Sequence, residues 1–186
     1  MIIVITLPTF IDHEADAIVA LLERGIDYLH LRKPGANEAD VEQLLQQIPS
    51  TYYPRLVMHD YHALAVRYRL GGIHLNSRYP YVPTGWTGRV STSCHSLDEL
   101  ACRKCEGYMC EGKPKHFSYL SLSPIYDSIS KPGYQSAFTH DDLREARHQG
   151  LIDATVLALG GVTFNRIPEI YQMGFGGAMI LGDAWR

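Results

Sequence analysis

Short apolar runs alternate with amphipathic segments along the whole chain. Eight of these runs are rich in aliphatic and β-branched residues, a pattern typical of strands that are buried on both faces. The predicted strands are residues 2–6, 26–32, 55–58, 72–75, 89–93, 116–122, 156–159 and 178–181. Nearly every predicted strand is followed by a segment with apolar residues at helical spacing, and the predicted helices are residues 12–22, 39–48, 61–70, 96–105, 141–148 and 163–173.

This strict alternation of strand and helix predicts a parallel sheet. Eight repeats favour closure of that sheet, so the expected fold is a compact single-domain α/β structure, the (β/α)8 TIM barrel. The sequence has no GxGxxG after its first predicted strand, which argues against a dinucleotide-binding open sheet. We expect residues 1–186 to form one domain.

Composition narrows the range of partners. The chain has 186 residues, 46% of them hydrophobic and 20% charged, with a formal net charge of −3 and a pI near 6.3. This balance gives no electrostatic reason to expect nucleic acid or a membrane surface as a partner. The first ten residues lack a basic leader region, and no apolar run reaches the roughly 18 residues of a membrane span, so a cytoplasmic location is predicted.

The last two predicted strands each end in glycine. Residues 156–159 run into Gly160 and Gly161, and residues 178–181 run into Gly182. In eight-stranded barrels, exposed backbone N–H groups after the last two strands commonly bind a phosphate group. Glycines also make tight turns without any ligand, so a phosphate site and a purely structural role both remain open here.

Polar residues lie at the ends of several other predicted strands. His30 and Arg32 share one face of the second strand because side chains alternate along a strand. Since the active sites of such barrels lie at the carboxyl ends of the strands, we expect these groups to line one anion-binding mouth. They are His30, Arg32, His59, Asp60, His74, Asn76, Ser93, His95, Ser128, Ser130 and Lys131.

Each of these residues also has a simpler interpretation. His74, between two apolar residues, is compatible with a hydrogen-bonded core histidine. Asp60 is compatible with a helix cap, and Lys131 with a solvated loop charge. Their coincidence at successive strand ends favours the functional interpretation.

The cysteines offer a second candidate metal site. Cys102, Cys105 and Cys110 lie near His116, which allows a zinc site by proximity. Their spacing is loose and no second CxxC follows, so reduced structural thiols are the favoured interpretation.

Five motifs resemble one known family over essentially the whole chain. The strings LHLRK, HDYHALA followed by GGIHL, STSCHSLDEL, LSPIYDSISKPGY and LALGGV occur in this order. In order and spacing they are similar to the motifs of the thiamine phosphate synthase and TenI family of compact barrels. The segment SPIYDSISK is similar to that family's G-P-I-F-x-T-x-T-K loop.

The resemblance implies an activity in thiamine biosynthesis. Hydroxymethylpyrimidine pyrophosphate and thiazole phosphate would be joined to give thiamine phosphate and pyrophosphate, by dissociative transfer of the pyrimidine cation. By position, Arg32, Ser93 and Lys131 would hold pyrophosphate, with His59 and His74 beside them as further catalytic candidates. Asp60 would bind Mg²⁺, while His30, Ser128, Ser130, Gly160, Gly161 and Gly182 would contact substrate or its phosphate. The resemblance also allows a homodimer.

The chain departs from the family pattern at three places. The family's Q-x-R-x-K reads His30, Arg32 and Pro34 here, while Lys33 points to the opposite face of the strand. His59 replaces the asparagine that precedes the metal-binding aspartate. The second acidic metal ligand of the synthases falls near Tyr79, so the implied Mg²⁺ site has one carboxylate.

Two alternative functions follow from these departures. One is the thiazole phosphate tautomerase activity of the TenI branch, which would need a new base among His30, His59 and His74, because the histidine of that branch corresponds to Pro124. The other is a non-catalytic protein that binds thiamine phosphates and regulates their synthesis. A third alternative is an unrelated sugar-phosphate barrel enzyme.

Overall fold

The computed structural model describes residues 1–127 and 136–186. The strands are β1 (Ile2–Ile5), β2 (Tyr28–Leu31), β3 (Leu56–Met58), β4 (Gly72–Leu75), β5 (Arg89–Cys94), β6 (Tyr108–Cys110), β7 (Lys113–Lys115), β8 (Tyr119–Leu122), β9 (Val156–Ala158) and β10 (Gly177–Ile180). The helices are α1 (Glu14–Glu23), α2 (Glu38–Gln47), α3 (His62–Arg67), α4 (Leu97–Glu106), α5 (His140–His148) and α6 (Ile167–Gln172). Short 3-10 helices cover Ser50–Arg55, Phe164–Arg166 and Gly182–Trp185.

Eight of these strands, β1 to β5 and β8 to β10, form a closed barrel, and helices follow them along the chain. The predicted (β/α)8 barrel is therefore confirmed. The chain divides into two compact units, one of residues 3–90 and one of residues 1–2 with 91–186. The assignment of residues 1–186 to one domain stays a prediction.

In the unit of residues 3–90, strands β1, β2, β3 and β4 lie side by side and are parallel. His30 is paired with Ile5 on one side and with Val57 on the other, so it occupies the middle of this sheet. The apolar residues of these strands, among them Val4 and Leu29, are fully buried. Such burial on both faces explains why the strands read as continuous apolar runs.

In the second unit, strands β5, β8, β9 and β10 are parallel neighbours in that order. Their apolar side chains form one hydrophobic cluster with helices α4, α5 and α6. Helix α5 begins with a capping box in which Thr139 and Asp142 exchange hydrogen bonds. The buried Leu143 of this helix then packs in the cluster.

The structure differs from the sequence-based prediction in local detail. The segment 116–118, which was predicted as strand, precedes β8, and the predicted helix 163–173 begins as the 3-10 helix Phe164–Arg166. Strands β6 and β7 form an antiparallel hairpin that the sequence pattern did not predict. Glu111 and Gly112 between them both have positive φ angles, 51° and 75°, as a tight two-residue hairpin turn requires.

No helix among the described residues is both long and apolar enough to cross a membrane.

Candidate active site

Three buried histidines form a cluster within residues 3–90. His30 lies on β2 and His74 on β4, while His59 directly follows β3. Because Met58 and Ile73 are paired in the sheet, the residues that follow them, His59 and His74, are brought side by side. Their rings stack with centroids 4.2 Å apart, and Nδ1 of His30 lies 2.8 Å from Nε2 of His59. The alternation of side chains thus brings together three of the residues expected at the site.

This cluster resists protonation. Burial lowers the pKa of His30 and of His59 well below the usual value of histidine, and the neighbouring histidines lower it further. Burial lowers the pKa of His74 to about 3, with additional contributions from His62 and Arg32. All three imidazoles are therefore neutral at neutral pH, and the contact between His30 and His59 is a hydrogen bond between uncharged rings.

Asp60 forms an ion pair with Arg78. Nε and Nη2 of Arg78 donate to Oδ1 of Asp60 at 3.0 Å and 2.7 Å. The Asp60 side chain is only 7% exposed, whereas that of Arg78 is 48% exposed. The other oxygen, Oδ2 of Asp60, is buried and has no hydrogen-bond partner among the described residues. The guanidinium thus covers the carboxylate from the solvent side.

Asn76 fixes the loop that carries Arg78. Its Nδ2 donates to the backbone carbonyl of His59 at 2.5 Å. Its Oδ1 accepts from the backbone N–H groups of Arg78 at 2.9 Å and of Tyr79 at 3.2 Å. One side-chain amide therefore connects the end of β3, next to Asp60, with the residue that pairs with Asp60.

Arg32 is the second arginine of this site. Burial lowers the pKa of Arg32, the charge of Arg78 lowers it further, and Asp60 raises it. Its backbone is held by Thr6, whose Oγ1 accepts from the Arg32 N–H at 2.9 Å. Two guanidinium groups therefore lie within electrostatic range of one carboxylate.

The residues around Asp60 do not fit the implied Mg²⁺ ion. Mg²⁺ prefers several oxygen ligands in octahedral geometry. Asp60 offers one carboxylate, and that carboxylate is already neutralised by Arg78. Among the described residues, the group of three side chains placed to hold a metal is His30, His59 and His74, which contains no oxygen ligand.

Lys33 lies away from this cluster, as the alternation along the strand predicts. Its Nζ donates to Glu14 Oε1 at 2.5 Å and to the carbonyls of Leu7 and Thr9 at 3.0 Å and 2.8 Å. The side chains of Lys33 and Glu14 are 1% and 2% exposed. Lys33 is thus a structural anchor for the loop between β1 and α1.

In the second unit, the turn after β9 depends on its glycines. Gly160 and Gly161 have φ angles of 91° and 64°, which favour glycine. A Cβ atom on Gly160 would lie 2.7 Å from Cα of Pro124, and one on Gly161 would lie 2.3 Å from the Asp127 carbonyl. These contacts support the tight-turn interpretation, and the phosphate-binding role of these residues stays a proposal.

The turn after β10 carries a carboxylate of its own. Gly182 begins a 3-10 helix, and a Cβ atom on Gly182 would meet nothing within 4 Å. Oδ2 of the next residue, Asp183, accepts a hydrogen bond from the Phe164 N–H at 3.0 Å. One backbone donor of this region is therefore already used by an anionic side chain of the same unit.

The remaining residues predicted for the site are Ser93, His95, Ser128, Ser130 and Lys131. His95 directly follows β5, and its backbone N–H donates to Oε2 of Glu99 at 2.8 Å. Ser93 on β5 accepts a hydrogen bond at 2.8 Å from Oγ of Ser121 on the neighbouring strand β8. Ser128, Ser130 and Lys131 fall outside the described residues.

Of the cysteines, Cys110 is buried and Cys102 and Cys105 are exposed.

Sequence reasoning missed Arg78. It lies in a loop of residues 76–88 without hydrophobic periodicity, and its partner Asp60 is 18 residues away in the chain. The available signal was the position of the loop directly after β4, where barrel enzymes place their functional groups.

Comparisons with known proteins agree on one family. The family model described as thiamine monophosphate synthase matches residues 2–182. The thiamine-phosphate synthase of Yersinia pestis (strain Pestoides F) is 28% identical over 174 residues, which are 88% of this chain and 75% of that protein. The thiamine-phosphate synthase of Photorhabdus laumondii is 26% identical with the same coverage.

Solved structures agree with this result. The thiamine phosphate pyrophosphorylase from Bacteroides thetaiotaomicron is 42% identical, with a TM-score of 0.84, over 99% of this chain and 84% of that chain. The thiamine phosphate pyrophosphorylase from Pyrococcus furiosus has a TM-score of 0.70 over 97% of this chain and 84% of that one, and at 18% identity it shows a shared fold alone. The family match covers nearly the whole chain, so this protein belongs to the thiamine monophosphate synthase family of thiamine biosynthesis.

Proposed function

We propose that this chain is a transferase that joins hydroxymethylpyrimidine pyrophosphate to thiazole phosphate. The observation that carries the proposal is the charge balance around Asp60, where the guanidinium groups of Arg32 and Arg78 act on a single carboxylate. Two positive charges against one negative charge leave a net positive site. That site suits the pyrophosphate that the reaction releases, since planar guanidinium groups bind phosphate oxygens strongly.

The proposed reaction breaks one bond and forms another. The bond between the pyrimidine methylene carbon and the pyrophosphate oxygen breaks, and its electron pair leaves with pyrophosphate. The thiazole nitrogen then supplies the electron pair of the new carbon–nitrogen bond. Negative charge grows on the leaving group in the transition state, so cations placed there in advance lower the barrier.

The neutral histidines suit this reaction better than a proton transfer. A general base works best with a pKa near the working pH, and burial lowers the pKa of His74 to about 3. His30 and His59 are shifted in the same direction. The tautomerase alternative needs one of these rings to accept a proton, whereas the transferase can use them as uncharged hydrogen-bond donors to substrate.

For thiazole phosphate we propose the turns of the second unit. Gly160, Gly161 and Gly182 are the candidates, with backbone N–H groups as donors. Ser93 is a candidate for pyrophosphate, and Ser128, Ser130 and Lys131 keep the roles implied by the family resemblance.

The test is a direct assay of the two substrates, followed by chromatographic detection of thiamine phosphate. We expect the wild-type protein to form product, and Arg78→Ala and Asp60→Ala to lose about a hundredfold or more in kcat/KM, since charge stabilisation of a leaving group is worth several kcal/mol. Arg67→Ala is the matched control, because Arg67 forms an ion pair with Glu42 on the surface of the same unit.

Two results would redirect the assignment. Absence of product with wild-type protein, while thiamine phosphate still binds and Asp60→Ala and His59→Ala leave that binding intact, would favour the regulator. Interconversion of thiazole phosphate tautomers without coupling would favour the tautomerase.

A further inference from the structure

We propose that Arg78 takes the place of a divalent metal ion in this protein, so that pyrophosphate binds without Mg²⁺. The inference rests on the proposed function and goes beyond it, because the function by itself leaves open which cation faces the leaving group. The ligand that Arg78 would bind is a diphosphate, either free or as part of the pyrimidine substrate.

Asp60 is already paired with a cation, Arg78. Both hydrogen bonds from Arg78 reach the same oxygen, Oδ1, at 3.0 Å and 2.7 Å. A metal ion on Oδ1 would have to displace a charge-assisted ion pair whose carboxylate is 7% exposed. The remaining oxygen, Oδ2, is one of the six ligands that an octahedral Mg²⁺ requires, so the other five would have to come from water or phosphate oxygens.

Arg78 is held in place by its neighbours in the loop and by Asp60. Its backbone N–H is bonded to Asn76, which is itself bonded to the carbonyl of His59 beside Asp60. A surface arginine without such support would lose much side-chain freedom on binding a ligand. Here the loop fixes the Arg78 backbone and Asp60 fixes its guanidinium. The side chain is thus already ordered in the free protein and loses less conformational entropy when a ligand binds.

One edge of the Arg78 guanidinium remains available to a ligand. The side chain is 48% exposed, and its hydrogen bonds to Asp60 use Nε and Nη2. The N–H groups of Nη1 are thus directed away from the Asp60 contact and can donate to phosphate oxygens. Asp60 is then a positioning residue for Arg78 rather than a metal ligand.

The experiment is a calorimetric titration of inorganic pyrophosphate into the full chain, once in EDTA and once with excess Mg²⁺. Titrations into buffer alone correct for the association of Mg²⁺ with pyrophosphate. We expect wild-type protein to bind in EDTA, and Mg²⁺ to leave the affinity unchanged or to weaken it. Arg78→Ala should weaken binding in EDTA by about tenfold to a hundredfold, as the loss of charge-assisted hydrogen bonds predicts.

Two further variants make the test specific. Arg78→Lys keeps the charge without the planar fork and should lose less affinity than Arg78→Ala; it also serves if Arg78→Ala fails to fold. Arg67→Ala should bind as wild type does, because Arg67 lies at the end of helix α3, where it pairs with Glu42. Circular dichroism melts establish that each variant is folded.

Binding of pyrophosphate that requires Mg²⁺ would overturn the proposal, and so would equal affinities of Arg78→Ala and wild type in EDTA. These failures differ from a failure of the proposed function. Thiamine phosphate formed with Mg²⁺ but not in EDTA would keep the function and remove this inference. Arg78-dependent binding in EDTA without any thiamine phosphate formation would keep this inference and remove the proposed function.

Discussion

Nδ1 of His30 and Nε2 of His59 lie 2.8 Å apart, and both rings are buried in the unit of residues 3–90. The two nitrogens can form a hydrogen bond only when one carries the proton and the other accepts it. If both rings were charged imidazolium ions, they would repel at this distance. With His74 stacked on His59, the cluster behaves as one neutral polar core.

Stability should therefore fall as the pH is lowered. The pKa values of His30, His59 and His74 are lowered in the folded protein, so below about pH 6.5 the unfolded chain binds protons that the folded protein does not. The full contribution is present above that pH. For His74 the loss extends down to its folded pKa of about 3, and at about pH 5 it amounts to roughly 2 kcal/mol for this residue.

Urea unfolding curves between about pH 7 and pH 5 measure this effect. His74→Gln removes one titrating ring and should make the decline less steep. An equal decline in wild type and His74→Gln would exclude His74 as a source of the pH dependence.

The buried pair of Lys33 and Glu14 predicts a large effect on stability. Lys33→Met should destabilise the protein by about 3–5 kcal/mol, since it leaves the Glu14 carboxylate buried without its cation. The double variant Lys33→Met with Glu14→Leu should recover most of that loss, because both charges are then gone. Chemical unfolding measures both values, and Arg67→Ala should have a much smaller effect, because its ion pair with Glu42 lies at the surface.

Substitution by alanine should destabilise the protein more at Gly161 than at Gly150. Both have positive φ angles, 64° and 72°, but a Cβ on Gly150 would meet nothing within 4 Å. Gly150→Ala should cost about 1–2 kcal/mol for backbone strain alone. Gly161→Ala should cost about 1–3 kcal/mol more, because its Cβ would clash with the Asp127 carbonyl. Equal losses would mean that the segment 124–127 moves aside freely.

Asn76 should act through Arg78 rather than on substrate directly. Asn76→Ala removes the bonds to His59, Arg78 and Tyr79, so we expect about 1–3 kcal/mol lower stability and a weaker pyrophosphate affinity. Asn76→Asp keeps the acceptor for the two N–H groups and should retain more of that affinity. Calorimetry in EDTA compares the two variants, and an Asn76→Ala protein that binds pyrophosphate like wild type would remove the positioning role.

The sequence was sufficient for the fold because the barrel strands are buried on both faces. Runs such as residues 2–5 and 56–58 are apolar throughout, and repetition with helices leaves few alternative topologies. The hairpin β6–β7 was missed because its second strand, Lys113–Lys115, is exposed at all three positions and contains proline. Such a strand has neither the alternation nor the apolar run on which prediction depends.

The site was predictable where it lies on strands or directly after them. His30 and His74 follow from side-chain alternation within β2 and β4. Arg78 does not, because the path of an aperiodic loop depends on its hydrogen bonds, here those of Asn76. The metal role of Asp60 came from the family resemblance, and only the position of Arg78 indicates how this carboxylate is used.

The bonds of Lys33 also determine how the segment between β1 and α1 moves. One ammonium group is attached to carbonyls at residues 7 and 9 and to the first residue of α1, and it lies 4.8 Å from the Phe10 ring. Because all three hydrogen bonds share the buried Nζ of Lys33, this segment cannot move over a ligand unless it breaks them together. We therefore expect the connection between β1 and α1 to keep its position when a ligand binds.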